Sequence, residues 1–319
     1  MNPVYNILVV IDPSSEQQWA LTKGAQLARG LNSRLELYAC DTQAKRQTRL
    51  VNSSSLAATP KRSQELRTRL EELAAPLRQQ GLEVATEADF GEPLHEKLAD
   101  KIHRSTAELV VKDTHHHSLL RRSFLSNTDW QLIRACSVPL LLVKPKAWSA
   151  VPRVVAALDP GHQNDKPAAL DERILEFAHT CTQHIGGELE VLHAFVPMTI
   201  IAAALSGEPP TDLAISANDI EREKDAKVEE LSQIAAKFGV TSDHIHVEVG
   251  GPSAVLPHAA SQLQADILAM GAISRSAIER SFIGSTAEDV LESLPCDALI
   301  IKPPDFSAAL PIWSVREAG

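Results

Sequence analysis

A glycine-punctuated stretch near the end of the chain has the residue types that bind phosphate groups. Gly271 follows a short apolar run, and Gly284-Ser285 follows Ser274 after nine further residues. Gly271 lets the backbone turn away from a strand, and Gly284 lets a ligand approach the main chain. Ser285 and Glu288 predict a capping box at the start of a helix, whose free N–H groups attract anions. The pattern predicts a phosphate site, although an ordinary loop and helix cap would have the same sequence.

Motifs that define several other chemistries are missing from the chain. It has no GxxxxGK[ST] loop, no GxGxxG after the first strand of either half, and no GxSxG. This argues against a Walker-type NTPase, a dinucleotide-dependent oxidoreductase and a serine hydrolase. We expect no catalytic residue, because the sequence points to no general base and no arginine finger.

Histidines and cysteines leave the question of a metal open. His115-His116-His117 are adjacent, so their side chains point in different directions, and a polar loop is the simpler interpretation. His244 and His246 would face the same side of a strand, but without a third ligand an exposed face is favoured. The cysteines lie far apart with no CxxC, which predicts buried free thiols in a reducing cytoplasm: Cys40, Cys136, Cys181 and Cys296.

Composition narrows the class of protein without choosing a function. The chain has 319 residues, 44% of them hydrophobic, and a net charge of -10. An acidic surface repels phosphate backbones, so we expect no nucleic-acid partner. No apolar run approaches the length of a membrane span, and the first residues do not resemble a signal peptide, so we expect a cytoplasmic protein without membrane association.

The chain repeats itself once, which predicts two similar domains. The repeat is clearest at the start and end of each half, where a strand with Asp-Pro and a strand with Lys-Pro recur. We expect a first domain over 1–147, a second over 148–305, a tail over 306–319, and a linker over Lys146–Pro152. The matching segments are Asn6–Pro13 with Arg153–Pro160, Gly91–Pro93 with Gly250–Pro252, and Leu142–Pro145 with Ile300–Pro303.

Strand and helix patterns alternate in each half. Short, nearly continuous apolar runs separated by helical stripes predict a parallel sheet covered on both faces. We therefore predict an α/β fold of two tandem, open, five-stranded parallel sheets of the Rossmann-like kind. The predicted strands are Ile7–Ile11, Leu35–Ala39, Leu82–Ala88, Glu108–Val111, Pro139–Val143, Val154–Leu158, Glu190–Ala194, Ile245–Val249, Ile267–Met270 and Ala298–Ile301.

These paired features resemble the universal stress protein family. The strands ending in Asp-Pro, the Gly-x-Pro before the third helix and the final Lys-Pro carry the resemblance, which covers nearly the whole chain. The duplicated layout is similar to the tandem, E-type members. The resemblance implies the fold of the adenine-nucleotide α-hydrolase group and an internal pseudo-dimer in which Leu140–Val143 and Ala298–Ile301 pair. Two chains forming a homodimer are a further expectation.

The resemblance also implies ATP as the ligand of the second domain. The motif of ATP-binding members is G-x2-G-x9-G-[ST], which the chain matches except that Ser274 replaces the middle glycine. This departure could weaken binding. Asp159 is then expected at the adenine or ribose side, and three residues line the base: Ala157, Ala194 and Met270. The residues expected around ribose and phosphates are Gly271, Ile273, Ser274, Gly284, Ser285, Thr286 and Ala287.

The first half departs from this motif. It has Lys112-Asp113 where the second half has Met270-Gly271, and no glycine in the following loop. We interpret the first domain as degenerate for ATP. An alternative is that Lys112, Arg121 and Arg122 bind a different anion through their side chains.

The expected function is a stress-response protein that binds ATP or a related nucleotide as a regulatory ligand. It is not expected to be an enzyme, beyond slow and incidental ATP hydrolysis. An alternative is a binder of a hydrophobic or lipid-like metabolite, since Met198–Leu205 is apolar although a core helix against the other domain is favoured. A third possibility is an unliganded scaffold.

Overall fold

The computed structural model describes residues 6–42, 60–91, 93–114, 125–160, 170–198, 200–201, 217–272 and 284–303. The chain divides into two compact units, each with its own core. The first consists mainly of residues 6–145, and the second of residues 146–271 and 285–301.

The first unit alternates strands and helices as the sequence predicts. All neighbouring strands pair in parallel, in the order β3-β2-β1-β4-β5. Its elements are β1 (Asn6–Val10), α1 (Trp19–Leu31), β2 (Arg34–Asp41), α2 (Pro60–Gln79), β3 (Val84–Phe90), α3 (Leu94–Arg104), β4 (Leu109–Asp113), α4 (Asn127–Ala135) and β5 (Leu140–Val143).

The second unit has the same arrangement. Its strands are again parallel, in the order β10-β9-β6-β7-β8. Its elements are β6 (Arg153–Ala157), α5 (Leu170–Ile185), β7 (Glu188–Phe195), α6 (Ala217–Ala235), β8 (Ile245–Val249), α7 (Pro252–Gln262), β9 (Ile267–Gly271), α8 (Ser285–Ser293) and β10 (Asp297–Ile301). Two parallel, open α/β units confirm the predicted fold class.

The strands are buried because each sheet is covered by helices. On β1, Ile7, Leu8 and Val9 have no exposed surface. A Cβ atom placed on Gly24 of α1 would lie 2.7 Å from Cγ2 of Val9. Glycine at this position therefore allows close packing of α1 on the sheet, which explains its place in the predicted helical stripe.

Two glycines show that the halves share detailed backbone geometry. Gly91 has a φ of 123° and donates its N–H to the carbonyl of Asp41, at 3.1 Å. Gly250 has a φ of 141° and donates to the carbonyl of Phe195, at 2.8 Å. Both hydrogen bonds return to the last residue of a strand. Since other residues avoid this region of φ, the repeated glycine has a structural cause.

Some predicted boundaries are wrong by one or two residues. The third strand begins at Val84 rather than at Leu82. After α2 ends at Gln79, Gly81 adopts a φ of 90° and turns the chain back. The N–H of Leu82 then donates to the carbonyl of Leu77 at 3.1 Å, a hydrogen bond that caps the end of α2 and keeps Leu82 out of the strand. The fourth strand extends to Asp113, two residues beyond the prediction.

The linker over residues 146–152 has no helix or strand, as predicted. It is nevertheless held to the second unit by polar contacts. Nε1 of Trp148 donates to Asp297 at 2.7 Å, and the hydroxyl of Ser149 donates to Asp266 at 2.6 Å. Asp266 and Asp297 are both buried, so these hydrogen bonds satisfy carboxylates that would otherwise destabilise the fold.

The apolar segment Met198–Leu205 is described only in part. Met198 and Ile201 are exposed, to 67% and 36%, and Thr199 and residues 202–205 lie outside the described residues. The favoured interpretation as a core helix is therefore not supported at Met198. Within the described residues, we find no helix with the length and apolar character needed to cross a membrane.

Candidate functional site

The carboxyl ends of β6, β7 and β9 form the edge on which the second-unit site was predicted. In the parallel register, Ala156 pairs with Ala269 and Ala157 pairs with Leu192. Ala157 therefore ends β6, Met270 is the last residue but one of the neighbouring β9, and Ala194 lies two residues beyond Leu192 on β7. Ala157 and Ala194 are half-buried, and Met270 is buried. The fold thus places the three predicted base-lining residues along one edge of one sheet.

Asp159, which was expected to lie at the adenine or ribose side of the ligand, follows β6 at this edge. Its side chain is half-buried, and its backbone N–H donates to Oδ1 of Asp171 at 3.2 Å. Asp171 is in the first turn of α5. The hydrogen bond fixes the turn between β6 and α5 and so positions Asp159 at the end of the strand.

His193 is a residue at this edge that the sequence analysis missed. It is 2% exposed, and its Nδ1 lies 2.9 Å from the carbonyl oxygen of Leu158. Burial lowers the pKa of His193, while the hydrogen bond to Leu158 and the charge of Asp159 oppose that effect. The contact with the carbonyl of Leu158 joins β7 to the residue that follows β6. The sequence of β7 did not indicate that His193 would be buried and hydrogen-bonded, because its partner, Leu158, follows a different strand.

Gly271 has a structural role that differs from the predicted one. Its φ is not in the left-handed region, so the turn does not depend on glycine. A Cβ atom on Gly271 would instead lie 3.0 Å from Cδ2 of Leu170, the first residue of α5. The expected reason for this glycine is therefore wrong, since packing against α5 accounts for it.

Gly284 has no such constraint among the described residues. Its φ is not positive, and a Cβ atom there would meet no described atom within 4 Å. The following helix, α8, begins at Ser285 itself. Gly284 rather than Ser285 therefore stands at the N-cap position, and because glycine has no side chain to accept a hydrogen bond from the helix, the predicted capping box of Ser285 with Glu288 is wrong. Ser285 and Thr286 are exposed in the first turn, and Ala287 is buried. Ile273 and Ser274 lie outside the described residues.

The first unit has a different arrangement at the matching helix start. Ser126 is the N-cap of α4 and forms a capping box with Asp129. Oδ2 of Asp129 accepts hydrogen bonds from the N–H and the hydroxyl of Ser126, both at 2.7 Å. Asp129 is 1% exposed. A carboxylate of the chain itself thus lies at the helix start where an anionic ligand would bind.

Lys112 is the cation that faces this carboxylate. Its Nζ lies 2.7 Å from Oδ1 of Asp129 and donates to the carbonyl of Asp113 at 2.8 Å. The alternative in which Lys112 binds a foreign anion is therefore not supported, because an internal carboxylate already neutralises it. Arg121 and Arg122, the other residues of that alternative, lie outside the described residues.

Asp113 takes the place that Gly271 has in the second unit. Its Oδ1 accepts a hydrogen bond at 2.8 Å from the backbone N–H of Ala20, in the first turn of α1. Asp113 is 6% exposed, and burial raises its pKa to about 7. The side chain fastens α1 to the end of β4, a role that glycine cannot perform.

Two of the histidines considered as metal ligands lie close together, but the structure shows no metal-binding group around them among the described residues. His244 and His246 do share a partner, since Nδ1 of His244 and Nε2 of His246 lie 3.2 and 2.9 Å from Oε2 of Glu190. Glu190 is buried and also lies near the guanidinium of Arg153, at 3.6 Å. In the described part of the chain, no group of three or more His, Cys, Asp or Glu side chains is placed to hold a metal ion. His115, His116 and His117 lie outside it.

The cysteines match the sequence prediction. All four are free and buried. Burial raises the pKa of the Cys40 and Cys136 thiols to about 11, and that of Cys181 to about 12. Thiols with such a high pKa are protonated at neutral pH and are weak nucleophiles.

Two parallel α/β units with matching strand order define a tandem, doubly wound α/β protein. The model of the universal stress protein family matches residues 4–144 and again 152–302. The chain therefore belongs to the universal stress protein family, with two family domains in tandem.

Two bacterial relatives match nearly the whole of this chain. Universal stress protein E of Escherichia coli strain K12 is 27% identical over 304 residues, which cover 94% of this chain and 95% of that protein. The universal stress protein E homolog of Haemophilus influenzae is 25% identical over 316 residues, covering 93% and 97%.

Solved structures share the fold. A putative universal stress protein from Pseudomonas aeruginosa UCBPP-PA14 has a TM-score of 0.72, with 24% identity and 95% of both chains covered. A universal stress protein from Archaeoglobus fulgidus has a TM-score of 0.66, with 17% identity and 94% of this chain and 97% of that chain covered.

Proposed function

We propose that the second unit binds ATP or a related nucleotide, and that this ligand regulates the protein in a cytoplasmic stress response. Membership of the family and the predicted G-x2-G-x9-G-[ST] pattern motivate the proposal. It assigns the base to the edge formed by Ala157, Ala194 and Met270. The ribose and phosphates are assigned to Asp159 and to the stretch that ends with Gly284-Ser285-Thr286-Ala287.

The observation that carries the proposal is the environment of Gly284. Neither its φ nor packing among the described residues calls for glycine, in contrast to Gly271. A glycine without such a cause at the start of a helix is what close approach of a phosphate needs. Ser285 and Thr286 are exposed beside it and can donate hydroxyl hydrogen bonds.

The contrast with the first unit supports the assignment to the second. At the matching helix start, Asp129 accepts from Ser126 and pairs with Lys112. A polyphosphate would have to displace this carboxylate and expose Lys112. In the second unit the corresponding residues, Ala287 and Met270, carry no charge. We therefore assign nucleotide binding to the second unit alone and regard the first as degenerate for ATP.

No enzymatic step is included in the proposal. The described residues near Asp159 offer His193, whose pKa is lowered by burial, but its Nδ1 is engaged by the carbonyl of Leu158. We propose a binding protein in which any ATP hydrolysis is slow and incidental. A homodimer of tandem chains and the pairing of the two last strands remain predictions.

Isothermal titration of ATP into the full chain tests the proposal. We expect one saturable site with a Kd below about 1 mM, equivalent to about 4 kcal/mol of binding free energy. Gly284→Val is expected to abolish the heat of ATP binding, because the added side chain occupies the space proposed for phosphate. Gly251→Val is the matched control, since Gly251 is also an N-cap with no described atom within 4 Å of a Cβ.

The proposal fails if no saturable binding occurs, or if both variants bind like the original chain. Thermal unfolding of each variant separates a loss of binding from a loss of fold. Two bound nucleotides per chain would contradict the assignment to one unit.

A hydrophobic ligand is a second candidate, favoured by one observation. Val196, Met198 and Val249 are exposed apolar side chains at the carboxyl ends of β7 and β8, to 41%, 67% and 43%. Native mass spectrometry of the purified chain distinguishes the candidates, because acyl species would support this one and a nucleotide would support the first. If neither is found and ATP does not bind, an unliganded scaffold is the remaining function.

A further inference from the structure

The peptide bond between Leu158 and Asp159 is held on both of its polar sides by side chains of other elements. Its carbonyl oxygen lies 2.9 Å from Nδ1 of His193 on β7, and its N–H donates to Oδ1 of Asp171 on α5 at 3.2 Å. The N–H of Leu158 also donates to the carbonyl of Leu192 at 2.9 Å. Three consecutive polar groups of the backbone thus have partners immediately before the Asp159 side chain.

The hydrogen bond from His193 has a defined direction. A backbone carbonyl only accepts hydrogen bonds, so Nδ1 carries the hydrogen. Burial lowers the pKa of His193, and the charge of Lys227 acts in the same direction. The bond to Leu158 and the charges of Asp159 and Glu230 oppose this effect without cancelling it. Since a histidine ordinarily has a pKa of about 6.5, the ring has a single N–H at neutral pH, and that N–H is engaged by Leu158.

Holding this peptide bond controls the direction of the Asp159 side chain. A peptide unit is planar, so partners on its carbonyl and on its N–H together fix the orientation of the plane. The plane between Leu158 and Asp159 sets the angle at which the Asp159 side chain leaves the backbone. Asp159 is half-buried just beyond β6, at the edge assigned to the base and ribose. Its carboxylate therefore depends on hydrogen bonds that are made away from the ligand.

Ala39 is the residue of the first unit that corresponds to His193. The N–H of Ile11 donates at 2.8 Å to the carbonyl of Tyr38, the residue before Ala39, and the matching bond of the second unit ends at the residue before His193. Alanine has no side-chain donor. This position therefore links two strand ends in the second unit and cannot do so in the first.

The link from the following helix is present in both units. The N–H of Asp12 donates to Oε1 of Gln18, the N-cap of α1, at 3.3 Å, as the N–H of Asp159 does to Asp171. One of the two side-chain links is thus shared by the units, whereas the link from His193 belongs to the unit to which the nucleotide is assigned.

We propose that His193 is a positioning residue of the nucleotide site, which directs the carboxylate of Asp159 towards the adenine or ribose side of the ligand. The inference rests on the proposed function, because it needs a nucleotide at this edge of the second unit. His193 does not itself contact the ligand, since it is 2% exposed and its N–H is engaged by Leu158. It acts through the peptide bond that precedes Asp159.

Calorimetric titration of ATP into His193 variants of the full chain tests the proposal. His193→Leu fills the space of the ring without a donor and should weaken ATP binding about fivefold, the contribution of one hydrogen bond. His193→Asn places an amide N–H near the position of Nδ1 and should restore most of the affinity. His184→Leu is the matched control, because His184 donates from Nδ1 to the carbonyl of Thr180 within α5 and should not affect binding.

A double-mutant cycle with Asp159→Ala separates positioning from a general loss of structure. If His193 acts through Asp159, the effect of His193→Leu should fall from about fivefold to less than twofold once the Asp159 side chain is absent. Additive losses, or equal binding by His193→Leu and the original chain, would overturn the proposal. Absence of ATP binding by the original chain would defeat the proposed function and this inference together, whereas equal binding by both chains defeats this inference alone.

Hydrogen exchange of the His193 ring provides a test that leaves the residue unchanged if His193→Leu does not fold. Coupling between two events is reciprocal, so a bond that strengthens ATP binding about fivefold is strengthened about fivefold by ATP. In the chain labelled with ¹⁵N-histidine, saturating ATP should slow solvent exchange of the Nδ1 hydrogen by this factor. The effect should be absent in Asp159→Ala. An exchange rate that ATP does not change in the original chain, or slows equally in Asp159→Ala, would contradict the proposal.

Discussion

Nζ of Lys112 lies 2.7 Å from Oδ1 of Asp129, a buried carboxylate that also caps the start of α4. The matching residues of the second unit, Met270 and Ala287, cannot form this pair. One ion pair thus distinguishes two units that share strand order and several backbone hydrogen bonds. It places an internal anion at the helix start in the first unit and leaves that position uncharged in the second.

Removal of the Asp129 carboxylate should destabilise the first unit. In Asp129→Ala, Lys112 loses its partner and Ser126 loses the reciprocal bonds of the capping box. We expect the free energy of unfolding to fall by about 1–3 kcal/mol, the cost of leaving such groups unsatisfied. Chemical denaturation measures the loss.

Asp129→Asn is the matched control for this change. Asparagine keeps an oxygen for the N–H of Ser126 but lacks the charge that faces Lys112. Its loss should be smaller than that of Asp129→Ala. Equal stability of Asp129→Ala and the original chain would show that the ion pair and the cap do not stabilise the unit.

Titration of Asp113 should make stability depend on pH. Its pKa rises from 3.8 to about 7 on folding, so between these values the folded chain holds a proton that the unfolded chain has lost. Stability contributed by that proton is present below pH 4 and is lost as the pH rises to about 7. The slope is about 1.4 kcal/mol per pH unit for one proton.

The variant Asp113→Asn does not titrate and should lack this loss. Relative to the original chain, it should gain about 2–3 kcal/mol of stability between pH 5 and pH 8, from about two units at the slope above. Urea denaturation at both values measures the difference. Parallel pH profiles for the two chains would contradict a proton on Asp113.

The repeated glycines should be needed in both units. Alanine at Gly250 would adopt a φ of 141° and would bring its Cβ to 2.9 Å from Val255. Alanine at Gly91 has the strained φ but only a flexible neighbour, Lys97, at 3.3 Å. We expect losses of about 1–3 kcal/mol for each, larger at Gly250.

Gly251→Ser is the control for these glycines. Gly251 has a φ of −72° and an open environment, and serine is a favourable N-cap, so its stability should not fall. If Gly91→Ala and Gly250→Ala are as stable as this control, the backbone geometry assigned to the repeat is wrong.

The fold was predictable because it depends on local hydrophobic patterns that occur in both halves of the sequence. Apolar runs such as the one that became β1 identify buried strands, and the stripe that includes Gly24 identifies the helix covering them. Errors occurred where a backbone N–H had another partner, as at Leu82. Such a partner belongs to the preceding helix and does not show in the hydrophobic pattern.

The candidate site was less predictable because its residues act through partners. The sequence shows the charge of Lys112 but not that Asp129 neutralises it, and it shows Asp113 but not that α1 is fastened there. Gly271 and Gly284 look alike in a motif, yet packing against Leu170 accounts for one of them only. Which glycine serves a ligand depends on neighbours that the chain brings together on folding.

Photoaffinity labelling with 8-azido-ATP, followed by peptide mapping, tests most directly where a nucleotide binds. We predict label on second-unit peptides that contain Ala157, Ala194 or Met270, suppressed by excess ATP and absent in Gly284→Val. Label confined to peptides from residues 6–145, or label that ATP does not suppress, would contradict the assignment.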